Sequence, residues 1–360
     1  MRKLICLICA AVLLLPHTAA VSAQSAVVLD GLTGECLYAK NADVQLPMAS
    51  TTKIMTAITA IEMGDLDRVY TVKREYTLVE GSSMYLREGE AITLRETLYG
   101  LMLMSGNDAA LAVAGECGGQ EAFVAAMNEK ARMLGLPHTH FDNPNGLDGE
   151  THYTTARELA RLTAYAMQND TFCEIVSTEH HAAGGRTMVN HNKLLRMYED
   201  AVGVKTGFTK RAGRCLVSAA ERDGRRLIAV TLNAPDDWND HMELLDNAFA
   251  AYKQETLAES GETVCTVPVQ SGWLREIGLT ADETVTLSLT ADELERLETV
   301  RRGRHFLYAP IEKGEPCGEL VWLLDGKVVA QVGLTAAETS AQLEETVSFW
   351  ERLFAWLPFV

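Results

Sequence analysis

Three polar motifs stand in order along the chain: Ser50-Thr51-Thr52-Lys53, Ser105-Gly106-Asn107 and Lys205-Thr206-Gly207. Together they supply a hydroxyl nucleophile, an amine base, polar groups able to relay a proton and a cationic anchor, which is what acyl transfer at a carbonyl requires. Pro47 marks a turn into the apolar, helix-compatible run from Ile54 to Ile61, so Ser50 is expected to open a helix. Residues three apart share a helix face, which sets the Lys53 amine one turn above the Ser50 hydroxyl. Free amide N–H groups at the helix start then face a developing oxyanion. A free lysine titrates near 10.4, and bringing it to about 7 so that it can act as a base costs roughly 4–5 kcal/mol. Burial and a second cation are the available causes, and Lys205 is the candidate cation. Taken alone, Ser50-x-x-Lys53 is common by chance and usually means a helix cap followed by a solvated lysine.

The elements that must position these groups follow from periodicity. Thr93-Leu94-Arg95-Glu96 has capping-box form, and Leu94, Leu98, Leu101 and Met102 make an apolar helical stripe ending near Met104. A new helix is expected from Asp108 to Ala114, leaving Ser105-Gly106-Asn107 as a loop that can aim Ser105 and Asn107 into a cleft. Val202–Thr209, Cys215–Ala220 and Leu227–Leu232 read as strands, the last two joined at Asp223-Gly224. On the first of these, Gly207 allows close backbone approach and Lys205 with Thr206 can hold a carboxylate. The Phe208 amide can complete an oxyanion hole with that of Ser50. An opening hairpin, Ala26–Asp30 with Cys36–Ala39, precedes a helix-rich middle that includes Glu121–Leu134 and a helix after Thr155-Ala156-Arg157-Glu158. The expected class is α+β: an antiparallel sheet packed on helices and split in sequence by the helical insertion, with a cleft at the sheet edge.

The ordered set is far more specific than any one motif. With its surroundings, Pro47–Thr56, Gly81-Ser82-Ser83-Met84, Leu98–Ala110 and Gly203–Thr209, it resembles the low-molecular-mass penicillin-binding proteins that are D-alanyl-D-alanine carboxypeptidases. Phe141–Leu147, His152–Ala156 and Asn190–Leu195 extend the resemblance over about Ala26 to Tyr252. It implies a β-lactamase/transpeptidase-like domain that removes the terminal D-alanine from peptidoglycan stem pentapeptides through an acyl-enzyme, with β-lactam antibiotics as inhibitors. In these terms Ser50 is the nucleophile and Lys53 the base. Ser105 and Asn107 shuttle protons and contact the substrate amide, and Lys205 and Thr206 bind its carboxylate. An arginine that such enzymes commonly carry after the strand following the K-T-G hairpin has no counterpart in Asn233–His241.

Peptidoglycan endopeptidase, transpeptidase and β-lactamase activities share the same attacking group. Glu150 and Glu158 lie where a deacylating glutamate could fall, but Glu158 fits a helix cap better, so a persistent acyl adduct is expected. A penicillin-sensing protein without turnover is the non-catalytic alternative, and the joint presence of Ser50, Lys53 and Lys205 argues against it. This chemistry requires no cofactor. His138-Thr139-His140 and His180-His181 lack metal-ligand spacing with a third partner.

Residues 1–23 read as a secretory signal: Arg2 and Lys3, an apolar run from Leu4 to Leu15, then Val21-Ser22-Ala23 as a small-residue cleavage site. Loss of Arg2 and Lys3 takes the formal charge from −17 to −19, which offers nucleic acid or an anionic surface no net attraction. Export to the outer face of the cytoplasmic membrane and the cell wall is the implied localisation. Of the eight cysteines, Cys6 and Cys9 fall in the signal, and the other six, Cys36, Cys117, Cys173, Cys215, Cys265 and Cys317, are scattered without paired spacing and are expected to be buried free thiols. Residues 24–258 are expected to form the catalytic domain. Residues 259–337, with strands at Val264–Val269, Thr284–Leu289 and Leu320–Val329, form a small β-rich domain. Residues 338–360 carry Trp350, Leu353, Phe354 and Leu357 at helical spacing, expected as an amphipathic helix on a membrane surface, although its polar face holds Glu344, Glu345 and Glu351.

Overall fold

The computed structural model describes residues 21–343. The chain divides into two compact units, one taking the chain up to Ala220 with Leu227–Leu245, the other Glu221–Arg226 and the chain from Asp246 onward.

The first unit is built on a five-stranded antiparallel sheet. Its opening hairpin is β1 (Ser25–Asp30) and β2 (Cys36–Lys40). A helical insertion follows: α1 (Lys53–Met63), a small ribbon of β3 (Val69–Thr71) and β4 (Ala91–Thr93), α2 (Leu94–Leu103), α3 (Asn107–Glu116), α4 (Gln120–Met133), α5 (Ala156–Ala166) and α6 (Asp170–Ser177). A second ribbon, β5 (His180–Ala183) with β6 (Arg186–Val189), and the short α7 (Leu194–Met197) lead back to the sheet. There β7 (Ala201–Thr209), β8 (Gly213–Arg222) and β9 (Arg225–Leu232) complete the order β2-β1-β9-β8-β7. The expected pairing of the opening hairpin with the late strands is therefore present, with Val27 opposite Val230, and β7 is the edge.

Strict alternation fails in β8 and β9 because both faces are covered. Cys215, Val217, Ala219, Ile228, Val230 and Leu232 enter the core shared with α1 to α6. Between them, Ser218 and Thr231 meet α8 (Asp237–Phe249) through His241, whose ring nitrogens stand 2.6 Å from Ser218 Oγ and 2.9 Å from Thr231 Oγ1. Helix α1 is buried from Lys53 through Ile61, so over that length it turns no side to solvent and serves as the central post of the helical layer. The Thr93 capping box that starts α2 is formed, Thr93 Oγ1 accepting from Glu96 N and Thr93 N donating to Glu96 Oε2.

The second unit holds β10 (Lys253–Ala258), β11 (Thr263–Gln270), β12 (Glu276–Ala281), β13 (Val285–Leu289), the short α9 (Ala291–Arg296), β14 (Glu298–Arg302), β15 (Leu307–Tyr308), β16 (Pro316–Leu324) and β17 (Lys327–Ala336). Six of these strands form one sheet in the order β14-β16-β17-β12-β11-β15 around a core of Val267, Ile277, Leu279, Trp322 and Leu334. The expected boundary at 258/259 falls inside this unit, since β10 pairs with β13.

At the chain ends two expectations meet different ground. Residues 338–343, placed at the start of an expected helix, are extended: Ser340 bridges to Ile311 and Gln342 to Gly272. Thr339 and Ser340 are weak helix formers beside an open strand edge. The rest of that segment, like residues 1–20 of the expected signal, lies outside the described residues. Val21–Ala23, assigned by sequence to the removed peptide, are held in place. Ser22 donates from N and Oγ to Asp240, and Lys40 Nζ donates to Val21 O at 2.6 Å. The six cysteines are free thiols, but only Cys117, Cys215 and Cys317 are buried, Cys36 being exposed.

Candidate active site

Ser50 does not open the α-helix as expected. It sits in a 3-10 turn, Ala49–Thr52, that precedes α1. With three residues per turn, side chains at i and i+3 eclipse, so this geometry aligns Ser50 with Lys53 better than an α-helix would. Lys53 Nζ stands 3.0 Å from Ser50 Oγ and 2.8 Å from Asn107 Oδ1, and hydrogen-bonds Asn145 O. Lys53 is fully buried, and that burial, with the charge of Lys205, holds its pKa well below the ordinary lysine value against the opposing pull of Asp108. A neutral amine has two N–H groups and one lone pair. The carbonyl oxygens of Asn107 and Asn145 account for the two N–H groups, leaving the lone pair to accept from the Ser50 hydroxyl.

The ends of α2 and α3 place the second motif. Asn107 is the first residue of α3, one earlier than expected, and its amide N donates to Ser82 O while Nδ2 donates to Glu80 O, both at 2.7 Å. Ser105 is buried at φ +58°, and its hydroxyl has no hydrogen-bond partner among the described residues, which leaves it available to a substrate. The adjacent Asp108 was not singled out by sequence. Its buried carboxylate accepts from Ser83 Oγ, Met84 N and Leu86 N at 2.6–2.9 Å, fixing the strip that follows Gly81 beside Asn107.

A third support comes from Phe141–Leu147. Thr56 Oγ1 donates to Pro144 O, and Gly146, at φ +89°, lies so close beneath the nucleophile turn that a Cβ there would stand 2.1 Å from Ala49 O. Asp142 N donates to His152 Nδ1, so Nε2 carries the proton and donates to Thr52 Oγ1 at 2.7 Å. Burial pushes the His152 pKa down to about 4, so this strut is neutral at pH 7. Glu158, weighed as a deacylating base, is spent as a structural acceptor: its buried carboxylate takes His138 N and Thr139 Oγ1.

The edge strand β7 closes the site. Thr206, Gly207 and Phe208 line a cleft of about 340 Å³ together with Ser50, Ser82, His191, Lys193, Arg214, Asp237 and Trp238. A Cβ on Gly207 would stand 3.0 Å from Ser50 N, so any larger residue here requires the nucleophile turn to give by a few tenths of an ångström. Lys205 is 1% exposed, its Nζ donates to Thr206 O, and burial brings its pKa to about 7. It is therefore a weakly charged, inward-facing amine and not an open anchor. The cations lining the cleft are Lys193 and Arg214, the latter opposite Phe208 on β8 with its side chain 43% exposed. Its Nε and Nη2 donate to Asp237 Oδ1 at 3.0 and 2.7 Å, and the guanidinium lies 5.7 Å from the centre of the Trp238 ring. Asp237 is raised by burial more than this pairing lowers it. Arg214 thus pairs with Asp237, inside the Asn233–His241 stretch that itself carries no arginine. A lone arginine heading an apolar strand was the available sequence signal.

Comparison with known proteins agrees with this geometry. The family model described as D-alanyl-D-alanine carboxypeptidase matches residues 14–236, and that described as the C-terminal domain of penicillin-binding protein 5 matches residues 252–342. The chain is 34% identical to the D-alanyl-D-alanine carboxypeptidase DacF of Bacillus subtilis, covering 92% of this chain and 90% of the relative. It is 32% identical to DacC of Escherichia coli over 88% and 84% of the two chains. Among solved structures, penicillin-binding protein 5 from Haemophilus influenzae superposes with a TM-score of 0.63 at 26% identity, over 89% of this chain and 98% of that one. The Streptomyces K15 DD-transpeptidase gives 0.62 at 35% identity, over 64% and 98%. The chain belongs to the D-alanyl-D-alanine carboxypeptidase family of penicillin-binding proteins, with the C-terminal domain of penicillin-binding protein 5 appended.

Proposed function

We propose that the chain releases the terminal D-alanine of peptidoglycan stem pentapeptides by way of an acyl-enzyme on Ser50. The observation that carries this reading is Lys53 Nζ, buried and 3.0 Å from Ser50 Oγ with two carbonyl oxygens on its remaining hydrogens. Lys53 takes the Ser50 proton as Oγ adds to the penultimate D-alanine carbonyl, and the amide N–H groups of Ser50 and Phe208 receive the oxyanion. Asn107 holds the substrate amide, and Ser105 passes a proton to the departing D-alanine nitrogen. Thr206 and Arg214 take the terminal carboxylate. Lys205 acts chiefly on Lys53, whose amine form its charge favours. Water then enters to release the shortened peptide and restore Ser50.

β-Lactams acylate Ser50 in the same way, and among the described residues no glutamate lines the cleft to hasten hydrolysis of the adduct. Residues 1–23 direct export, the first unit, which ends at Leu245, carries the chemistry, and residues 344–360 contact the membrane from the outer face. Product analysis on purified muropeptides, with Ser50→Ala as control, tests the reading. Free D-alanine and a stoichiometric penicillin adduct are expected from the wild type and neither from the variant. Penicillin labelling that survives in Ser50→Ala, or cross-linked product in place of D-alanine, would overturn it.

A further inference from the structure

The second unit carries a surface that acyl transfer does not use. Trp273, Phe306 and Tyr308 are 73%, 42% and 63% exposed, and the Phe306 and Tyr308 rings meet edge to face at 5.3 Å. These residues converge through the backbone. Tyr308 on β15 is opposite Gln270 at the end of β11, and Trp273 N donates to Ala341 O. Arg301 and Arg302 end β14, Arg304 lies in the exposed loop that carries the chain on to β15, and Arg301 Nη1 donates to Arg304 O. From Thr299 to Tyr308 the chain has three arginines and no carboxylate, in a sequence whose formal charge is −17. Arg302 lies 3.4 Å from Glu319, but both side chains are exposed, so the pair leaves the arginine free to exchange partners.

We propose that this surface, formed by Trp273, Arg301, Arg302, Arg304, Phe306 and Tyr308, docks on an anionic phospholipid membrane. Aromatic rings and arginines carried on one short stretch of chain suit the headgroup layer, where rings insert and guanidinium groups pair with phosphate. The place where the described chain ends favours lipid over other polyanions. Leu343 N donates to Ser271 O, two residues from Trp273, so the described chain ends beside this surface, and the segment holding Trp350, Leu353, Phe354 and Leu357 follows it in sequence. That segment begins Glu344-Glu345 and supplies apolar bulk with little attraction for anionic lipid. A single weak anchor holds a protein only reversibly, and a basic patch is the second signal that makes attachment stable.

The inference rests on the membrane-facing reading above and not on the acyl-transfer site. The full chain is sedimented with phosphatidylcholine vesicles, with and without phosphatidylglycerol, at low and physiological salt. Wild type is expected to prefer the anionic vesicles. The triple variant R301Q/R302Q/R304Q is expected to lose about fivefold per arginine, on the order of a hundredfold in all, with a shallower salt dependence. W273S/F306S/Y308S should weaken binding at either salt concentration. D-alanine release from a soluble peptide serves as the folding control, so lost binding with intact turnover is read at the surface alone. Equal binding of the arginine variant to anionic vesicles overturns the proposal, as does loss of binding to a purified anionic wall polymer with vesicle binding unchanged.

Discussion

Arg214 offers the sharpest test of how the cleft reads its substrate. Lys205 is buried and titrates near 7, whereas Arg214 is permanently charged and 43% exposed. A charge-assisted hydrogen bond to a carboxylate contributes about 1.5–3 kcal/mol, so replacing Arg214 by Gln should cost roughly 10- to 150-fold in kcat/KM on a peptide ending in a free D-alanine carboxylate. The same peptide with a C-terminal amide lacks the charge and should change little. The wild-type preference for acid over amide is thus expected to shrink by that factor. Asp237 complicates the single variant, because its side chain is 3% exposed and would lose its partner. The double variant R214Q/D237N removes both charges and separates a substrate effect from a folding effect. An acid-to-amide ratio that stays at the wild-type value in both variants would refute the assignment.

Replacing Lys205 by Met removes the cation that helps depress Lys53, so the Lys53 pKa rises and the acid limb of penicillin acylation should move to higher pH; a limb that stays put or moves down counts against the coupling. Gly146→Ala sets a Cβ 2.1 Å from Ala49 O at φ +89° and should destabilise by about 2–5 kcal/mol in denaturant unfolding, with loss of turnover; a cost below about 1 kcal/mol would show that the support beneath Ser50 yields. His241 is buried with its pKa pushed down to about 3 from 6.5, so the folded state resists its protonation. The stability it contributes is complete above about pH 6.5 and is lost as pH falls toward 3. Between pH 7 and 5 this amounts to about 2 kcal/mol, which His241→Gln should remove from the slope of unfolding free energy against pH; parallel slopes would sink the attribution.

The sequence by itself determined the chemistry and the class of fold. Ser50-x-x-Lys53, Ser105-x-Asn107 and Lys205-Thr206-Gly207 are local patterns, and the Thr93 capping box, the long apolar α1 and the paired strands β8 and β9 declare themselves over a few residues because helix and strand periods are local. What the sequence left open depends on partners far along the chain. That Ser50 stands in a 3-10 turn is settled by the packing of Gly146 and Gly207 against it. The position of the Lys53 amine is set by Asn107 and Asn145, 54 and 92 residues away. Burial and position, which tertiary packing alone assigns, turned Lys205 inward and brought Arg214 to the cleft beside Asp237. A charge's worth depends on the water and the neighbours around it, and neither is written in the order of residues.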